Sequence, residues 1–253
     1  MKAQVFALFA LLAFSALPAS SRAQDARAQQ ACHDALSQVS RSRVEECLEA
    51  AARLRPHHAA SIVNSCKKAF GDISSAAVVR CIQFAAESSG RGRPVEPATI
   101  EACHDALSHV SSAKAQECIE ASAPLPQRTA ASLVRACKEA FGQVSSAKVL
   151  SCIQSAVESS GRGRPVEPTT ILACHAALSH VGSAKTQECI DASAPLPQQT
   201  AASLIHACKE AFGQISSAKV LSCIQSAVES SGRGRSYEPA TILACHAALS
   251  HVS

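Results

Sequence analysis

The chain has few bulky side chains: its 253 residues include no tryptophan, one tyrosine, one methionine and seven phenylalanines. Small residues such as alanine and serine bury little apolar area, so we expect packing alone to stabilise each folded segment weakly. Long apolar runs are also scarce, because no stretch after Leu17 approaches the roughly 20 residues that a membrane-spanning helix needs. The sequence therefore predicts a protein that has no membrane span and depends on a further source of stability.

A large excess of charge of one sign is lacking too. The formal net charge is +4, from 24 basic and 20 acidic residues. It falls to +2, from 22 basic and 20 acidic residues, if Lys2 and Arg22 leave with a leader peptide. This balance does not call for nucleic acid or an anionic membrane as a partner, so we predict no nucleic-acid partner.

The N-terminus has the layout of a secretory signal peptide. Lys2 precedes an apolar run from Val5 to Leu17, and small residues follow at Ser21 and Ala23. The run is too short to cross a bilayer comfortably as a helix. We predict a signal peptide at 1–23, cleaved after Ala23 or a few residues earlier, and a secreted or periplasmic mature protein.

The most regular feature of the chain is its cysteines. They are separated by 15, 19, 15 and 22 residues, and this series recurs three times, which defines a repeat of 71 residues. A fixed period of this kind indicates a repeat architecture. We therefore divide the mature chain into repeat 1 at 24–97, repeat 2 at 98–168, repeat 3 at 169–239 and the truncated start of repeat 4 at 240–253.

Each repeat divides again into two similar halves, which share the frame A-C-x2-A-x3-V-S-S-A-K-x3-C-I from Ala102 and from Ala136. Apolar residues at helical spacing flank the V-S-S segment, where Ser145 suits a helix N-cap, and Gly161 suits the C-cap of the second helix. The predicted apolar faces are Ile100, Cys103, Leu107, Val110, Ala115, Cys118 and Ile119 in one half, and Leu133, Cys137, Ala140, Phe141, Val144, Val149, Cys152, Ile153 and Ala156 in the other. The predicted fold class is all-α: tandem disulfide-stapled helical hairpins of about 35 residues, arranged as an α-solenoid or as beaded four-helix modules.

The hairpin geometry brings the two cysteines of each half together. At a rise of 1.5 Å per residue, cysteines about seven residues before the turn and about six after it lie at similar heights on antiparallel helices. We predict the disulfides Cys32–Cys47, Cys66–Cys81, Cys103–Cys118, Cys137–Cys152, Cys174–Cys189 and Cys208–Cys223. Closing such a loop is worth about 3 kcal/mol in the chain-entropy model, and exported chains favour disulfides over bound metal. The spacing leaves open a nested pairing, Cys103 with Cys152 and Cys118 with Cys137.

The helical-hairpin repeat resembles the tetratricopeptide-like class, especially its disulfide-linked secreted variants. The paired cysteines are also similar to those of the twin-cysteine helical hairpins of the mitochondrial intermembrane space. The Trp, Leu-Gly and Tyr landmarks of the tetratricopeptide consensus are absent, and each cysteine pair here encloses 14 residues, more than in the twin-cysteine hairpins. The resemblance implies a hairpin fold and transfers no functional residue.

The last cysteine has no partner in the sequence. The repeat that begins at Ala240 stops at Ser253, before the position of a second helix. We predict that Cys245 is unpaired, either because the sequence is a fragment or a truncated array, or because Cys245 forms an intermolecular disulfide in a dimer.

Histidines beside cysteines, as at Cys103-His104 with His109, raise the possibility of metal binding. Neighbouring residues on a helix point about 100° apart, so Cys103 and His104 cannot both face one ion. A reduced copper-binding bundle would need cysteine pairs one helical turn apart, and the sequence has none. We predict no metal ligand and no cofactor.

His104, Asp105 and Ser108 include the residue types of a hydrolase triad. They are close in sequence only, without an oxyanion loop, and Asp105 is replaced by Ala176 in the next repeat. We therefore predict no catalytic residue and no enzymatic activity.

Arginine pairs recur in the longer connectors, at Arg91 and Arg93, Arg162 and Arg164, and Arg233 and Arg235. Flanking glycines predict that each pair is exposed. The pairs suit a solubilising linker near helix C-termini, multivalent contact with an acidic polymer, or proteolytic processing. A proline follows the second arginine at 94 and 165 and would hinder a trypsin-like cut there.

These observations predict an exported structural or binding scaffold whose ligand is an unidentified protein or acidic polymer. One alternative is a polyprotein precursor that is cleaved at the Arg-Gly-Arg connectors into small disulfide-stabilised modules. Another is a thiol-rich protein that binds copper or zinc.

Overall fold

The structure is a computed structural model that describes residues 19–213, 216–232 and 238–250. These ranges form thirteen α-helices and no β-strand, which confirms the predicted all-α fold class. The helices are α1 Ala19–Leu36, α2 Arg41–Ala52, α3 Pro56–Phe70, α4 Ser75–Gly90, α5 Pro97–Leu107, α6 Ser112–Ser122, α7 Gln127–Phe141, α8 Ser146–Gly161, α9 Pro168–Leu178, α10 Ser183–Ser193, α11 Gln198–Phe212, α12 Ser217–Gly232 and α13 Pro239–Ser250.

Two of the sequence predictions fall wholly or partly outside the described residues. Most of the expected signal peptide does, at residues 1–18, and the expected cleavage position after Ala23 falls within α1. Arg233 and Arg235 of the last connector are also outside. The signal peptide and the role of this connector stay predictions.

Serine caps begin the second helix of several hairpins, as the sequence predicts. Ser145 accepts a hydrogen bond from the backbone N–H of Lys148 at 3.3 Å, and Ser111 does the same for Lys114 at 3.2 Å. Each bond satisfies one of the N–H groups that a helix start leaves without a partner. The V-S-S motif is therefore a turn followed by a cap.

Two of the residues predicted to lie on buried helix faces do not. Because α5 ends at Leu107 and α7 at Phe141, Val110 and Val144 lie in the turns that follow. Val110 is 46% exposed and Val144 is 57% exposed, whereas the other predicted face residues are buried. Both valines immediately precede a capping serine, which is the position of a hydrophobic staple. The apolar spacing of the first helix therefore extends into the turn, beyond the residue at which the helix ends.

The predicted C-cap at Gly161 is also wrong. Gly161 is the last residue of α8, and Gly163 adopts the left-handed conformation with φ +73°. The N–H of Arg164 donates to the Ser159 carbonyl at 2.9 Å, which closes the helix in a Schellman motif. Gly92 has the same conformation in the preceding long connector, with φ +75°.

The chain divides into two compact units, residues 1–90 and residues 91–253. In the first unit, α1 packs on α3 and α2 packs on α4. In the second, the odd-numbered helices α5, α7, α9, α11 and α13 pack on one another in chain order, while α6 pairs with α8 and α10 with α12. The contact between α7 and α9 crosses from repeat 2 to repeat 3. Residues 91–253 are therefore a stack of hairpins and not separate four-helix beads.

Topology places all the tight turns of the second unit at one edge of this stack. Each turn leads from the end of an odd-numbered helix into an even-numbered one, and each connector leads back to the start of the next odd-numbered helix. A short connector returns the chain to the end at which the preceding odd-numbered helix began, and the next odd-numbered helix packs on that helix. Successive odd-numbered helices therefore run in the same direction. The turns therefore share one edge, and the connectors share the opposite edge.

The connectors are anchored by buried aliphatic side chains. Leu125 and Leu196, in the Ala-Pro-Leu-Pro connectors, are 5% and 6% exposed, and Val166 in the longer connector is 5% exposed. Burying such a side chain is worth about 1.5–3 kcal/mol. These three connectors therefore belong to the packed structure.

Candidate functional site

Every complete hairpin is cross-linked by one disulfide. The bonded pairs are Cys32–Cys47, Cys66–Cys81, Cys103–Cys118, Cys137–Cys152, Cys174–Cys189 and Cys208–Cys223, with Cα atoms 5.6–5.8 Å apart. These are the pairs that the spacing of 15 residues predicts, and the nested alternative is not formed. Eleven of the twelve bonded cysteines have no exposed surface, as expected for structural cross-links. Cys245 is free and exposed.

The six disulfides are typical of a protein from an oxidising environment such as the cell exterior. None of the described helices combines the length and the apolarity needed to cross a bilayer.

The structure does not bring Cys103 and His104 to one metal. Cys103 is bonded to Cys118, while His104 lies on the helix surface with its side chain 28% exposed. The Nδ1 atom of His104 is 3.8 Å from Oδ1 of its neighbour Asp105. Within the described ranges, no group of three His, Cys, Asp or Glu residues is placed to hold a metal ion.

A surface cavity of about 310 Å³ lies beside the connector between α8 and α9. Its lining comprises Ser155, Glu158, Ser159, Arg162, Arg164, Asp191, Ala194 and Pro195. The Nη2 atom of Arg162 is 3.6 Å from Oε2 of Glu158. The two arginines thus share the cavity with two carboxylates, which reduces the local net charge.

Hydrogen bonds fix the helices around this cavity. The Nε2 group of Gln187 donates to Oγ of Ser155 at 3.1 Å and to Oδ1 of Asp191 at 2.9 Å, which joins α8 to α10. Gln198 donates through Nε2 to the carbonyl of Pro165 at 3.3 Å. Sequence reasoning missed this junction because its residues form no motif and lie far apart along the chain.

No protein-family model, curated protein or solved structure matches the chain. Its binding properties have to be inferred from its own residues. Two surfaces bear on that inference: the cavity beside Arg162, where charges are balanced, and the shared edge of exposed turns.

Proposed function

We propose that the protein is an exported, non-catalytic scaffold whose disulfide-stapled hairpins present a fixed helical surface for binding. The observation that carries the proposal is the single cross-link in each of the six complete hairpins. Small side chains stabilise one hairpin weakly, whereas each closed loop adds about 3 kcal/mol in the chain-entropy model. A surface fixed in this way binds a partner with a smaller loss of conformational entropy.

The test uses the full chain expressed with its own leader. Cell fractionation locates the protein, and thiol titration in denaturant counts its free cysteines. The proposal expects the protein outside the cytoplasm with one titratable thiol, that of Cys245. A cytoplasmic protein with thirteen reduced cysteines would overturn the scaffold and favour a thiol-rich metal store.

A second candidate function is that of a precursor, which the boundary between the two units favours. The boundary between the units falls after Gly90, at the first Arg-Gly-Arg connector. Residues Arg91, Gly92 and Arg93 are exposed. Because Pro94 hinders a cut after Arg93, a trypsin-like protease would hydrolyse the Arg91–Gly92 bond, adding water across it and separating two compact units.

The connector at Arg162 provides the matched control for this candidate, because it lies inside the second unit, where α7 packs on α9. Native digestion with trypsin is followed by size-exclusion chromatography for the wild type, Arg91→Gln and Arg162→Gln. We expect cleavage after Arg91 to yield two separate species and cleavage after Arg162 to leave the halves associated. A single intact species recovered from the export compartment would argue against processing in the cell.

A further inference from the structure

The stack of hairpins opens where repeat 2 meets repeat 3. Within each of these repeats the even-numbered helices pack closely, α6 on α8 and α10 on α12, whereas α8 and α10 touch at only a few residues. The cavity of about 310 Å³ beside Arg162 lies at this opening. Ligand pockets usually have volumes of roughly 300–1,000 Å³, so this cavity suits a small ligand or one unit of a polymer.

Both connectors that border the cavity are fixed in place. Val166, two residues after Arg164, is buried, and so is Leu196, which follows Pro195. The backbone N–H of Arg164 donates to the Ser159 carbonyl at 2.9 Å. A site whose walls are held by such anchors loses little conformational entropy when it binds a ligand.

The charges that line the cavity balance one another. Arg162 and Arg164 face the same space as Glu158 and Asp191, so the two arginines and two carboxylates sum to zero formal charge. A ligand with a net charge of either sign is attracted by one pair and repelled by the other. The lining therefore favours neither a polyanion nor a cation.

These charged groups keep hydrogen-bonding capacity for a ligand. The Nη2 atom of Arg162 and the Oε2 atom of Glu158 are 3.6 Å apart, which is too far for a hydrogen bond between them. Within the described residues, the side chain of Arg164 makes no ion pair or hydrogen bond. The cavity thus presents guanidinium donors beside carboxylate acceptors.

A neutral ligand rich in hydroxyl groups fits this lining. Because a hydroxyl group both donates and accepts, one hydroxyl can accept from Arg162 while it donates to Glu158. A zwitterion needs its opposite charges to meet separate parts of a site, whereas Arg162 and Glu158 lie side by side. Ala194 and Pro195 complete the lining and offer an apolar contact to the C–H groups of a sugar ring.

We infer that the cavity between α8 and α10 binds a neutral saccharide. Arg162 and Arg164 donate hydrogen bonds to the sugar oxygens, and Glu158 and Asp191 accept hydrogen bonds from the sugar hydroxyls. This inference rests on the proposed exported scaffold and names the class of ligand that one of its surfaces binds.

The test titrates the isotope-labelled, oxidised full chain with neutral oligosaccharides and follows its backbone amide signals by NMR. The sugars are maltopentaose, cellopentaose, mannopentaose and chitopentaose. The comparison ligands are glycine as a zwitterion, spermidine as a cation and dextran sulfate as a polyanion.

The variant E158Q/R164Q removes one carboxylate and one guanidinium group from the cavity and leaves the net charge unchanged. Its matched control, E229Q/R128Q, makes the same two changes at exposed residues of the second unit outside the cavity. Each variant is first checked for helicity by circular dichroism and for one free thiol.

We expect at least one of these sugars to bind the wild type and to shift mainly the amide signals of residues 155–164 and 187–195. Affinity should fall at least about tenfold in E158Q/R164Q, because charge-assisted hydrogen bonds become weaker neutral ones. It should change less than about twofold in the distant control. It should also change less than about twofold between low and high salt, because the sugar carries no charge to be screened.

Three results would overturn the inference: no shift of these amide signals with any of the four sugars, a control that loses as much affinity as E158Q/R164Q, or tighter binding of a comparison ligand at the cavity. The last result would identify a charged or zwitterionic ligand instead. An oxidised, exported chain that binds none of the sugars defeats the inference alone, whereas a reduced cytoplasmic chain defeats the scaffold beneath it.

Discussion

Ser111 and Gly182 occupy the same position in successive repeats, and only Ser111 caps its helix with a side chain. Its Oγ accepts a hydrogen bond from the N–H of Lys114 at 3.2 Å. Gly182 has no side-chain oxygen and adopts φ +134°. The two hairpins nevertheless keep their disulfides, with Cα separations of 5.6 Å and 5.7 Å. A cap can therefore be lost in this fold while the cross-link and the turn remain.

Gly182→Ser should stabilise the second unit by about 0.5–1 kcal/mol, because it restores a cap and reduces the entropy of the unfolded chain. The backbone would move to the extended conformation that Ser111 holds, with φ −173°. Urea unfolding followed by circular dichroism measures the change. Ser111→Gly is the reciprocal control and should lower stability by a similar amount. Destabilisation by Gly182→Ser would contradict the role of the serine.

Two glycines of one connector should respond oppositely to alanine. Gly163→Ala should cost about 1 kcal/mol because φ is +73° there, whereas Gly161→Ala, at a helical position, should gain up to about 1 kcal/mol. No atom lies within 4 Å of the added Cβ at either site, so the comparison isolates backbone conformation. Equal effects in urea unfolding would show that Gly163 does not close α8.

Thr99→Val should stabilise the protein by about 1 kcal/mol. The Oγ1 atom of Thr99 is buried without a hydrogen-bond partner in the described chain, and the residue is 2% exposed. Replacing an unsatisfied hydroxyl with a methyl group removes a desolvation cost. Thr129→Val is the control, because Oγ1 of Thr129 donates to the Pro126 carbonyl at 3.2 Å and should yield no gain. Thermal unfolding measures the stability of both variants. An equal change in the two would contradict the cost assigned to the buried hydroxyl of Thr99.

Removing one cross-link should cost about 3 kcal/mol. The change is Cys137→Ala together with Cys152→Ala, which opens the loop closed by a bond between cysteines 15 residues apart. Cys245→Ser, at the free and exposed cysteine, should leave stability unchanged. Unfolding in urea under non-reducing conditions measures both. Equal stability of the two variants would mean that packing alone holds the hairpin.

The hairpins could be predicted from the sequence because the frame of cysteines, small residues and capping serines repeats on the scale of one helix pair. The helix ends could not. Val144 continues the apolar period of α7 although it lies in the turn, and either Gly161 or Gly163 can close a helix when judged by residue type alone. Only the backbone conformation distinguishes them.

The surface could be predicted even less well. The cavity beside Arg162 corresponds to no sequence motif, because Ser155, Arg162 and Asp191 lie far apart along the chain and are brought together only by the packing of the helices. By residue type, the glycines and arginines of the longer connectors suit an exposed linker. Val166 in one of them nevertheless packs into the core, as do Leu125 and Leu196 in the shorter connectors, because the neighbouring hairpins cover them.

The central claim is that each hairpin is closed by its own disulfide, and peptide mapping without reduction tests it most directly on protein recovered from the export compartment. Trypsin cuts after Lys114, Arg128, Lys148 and Arg162, so the two cysteines of one hairpin fall in different peptides. The structure predicts that residues 92–114 are linked to residues 115–128 through Cys103 and Cys118. Residues 92–114 recovered free, or linked instead to residues 149–162, would contradict the stapled hairpin.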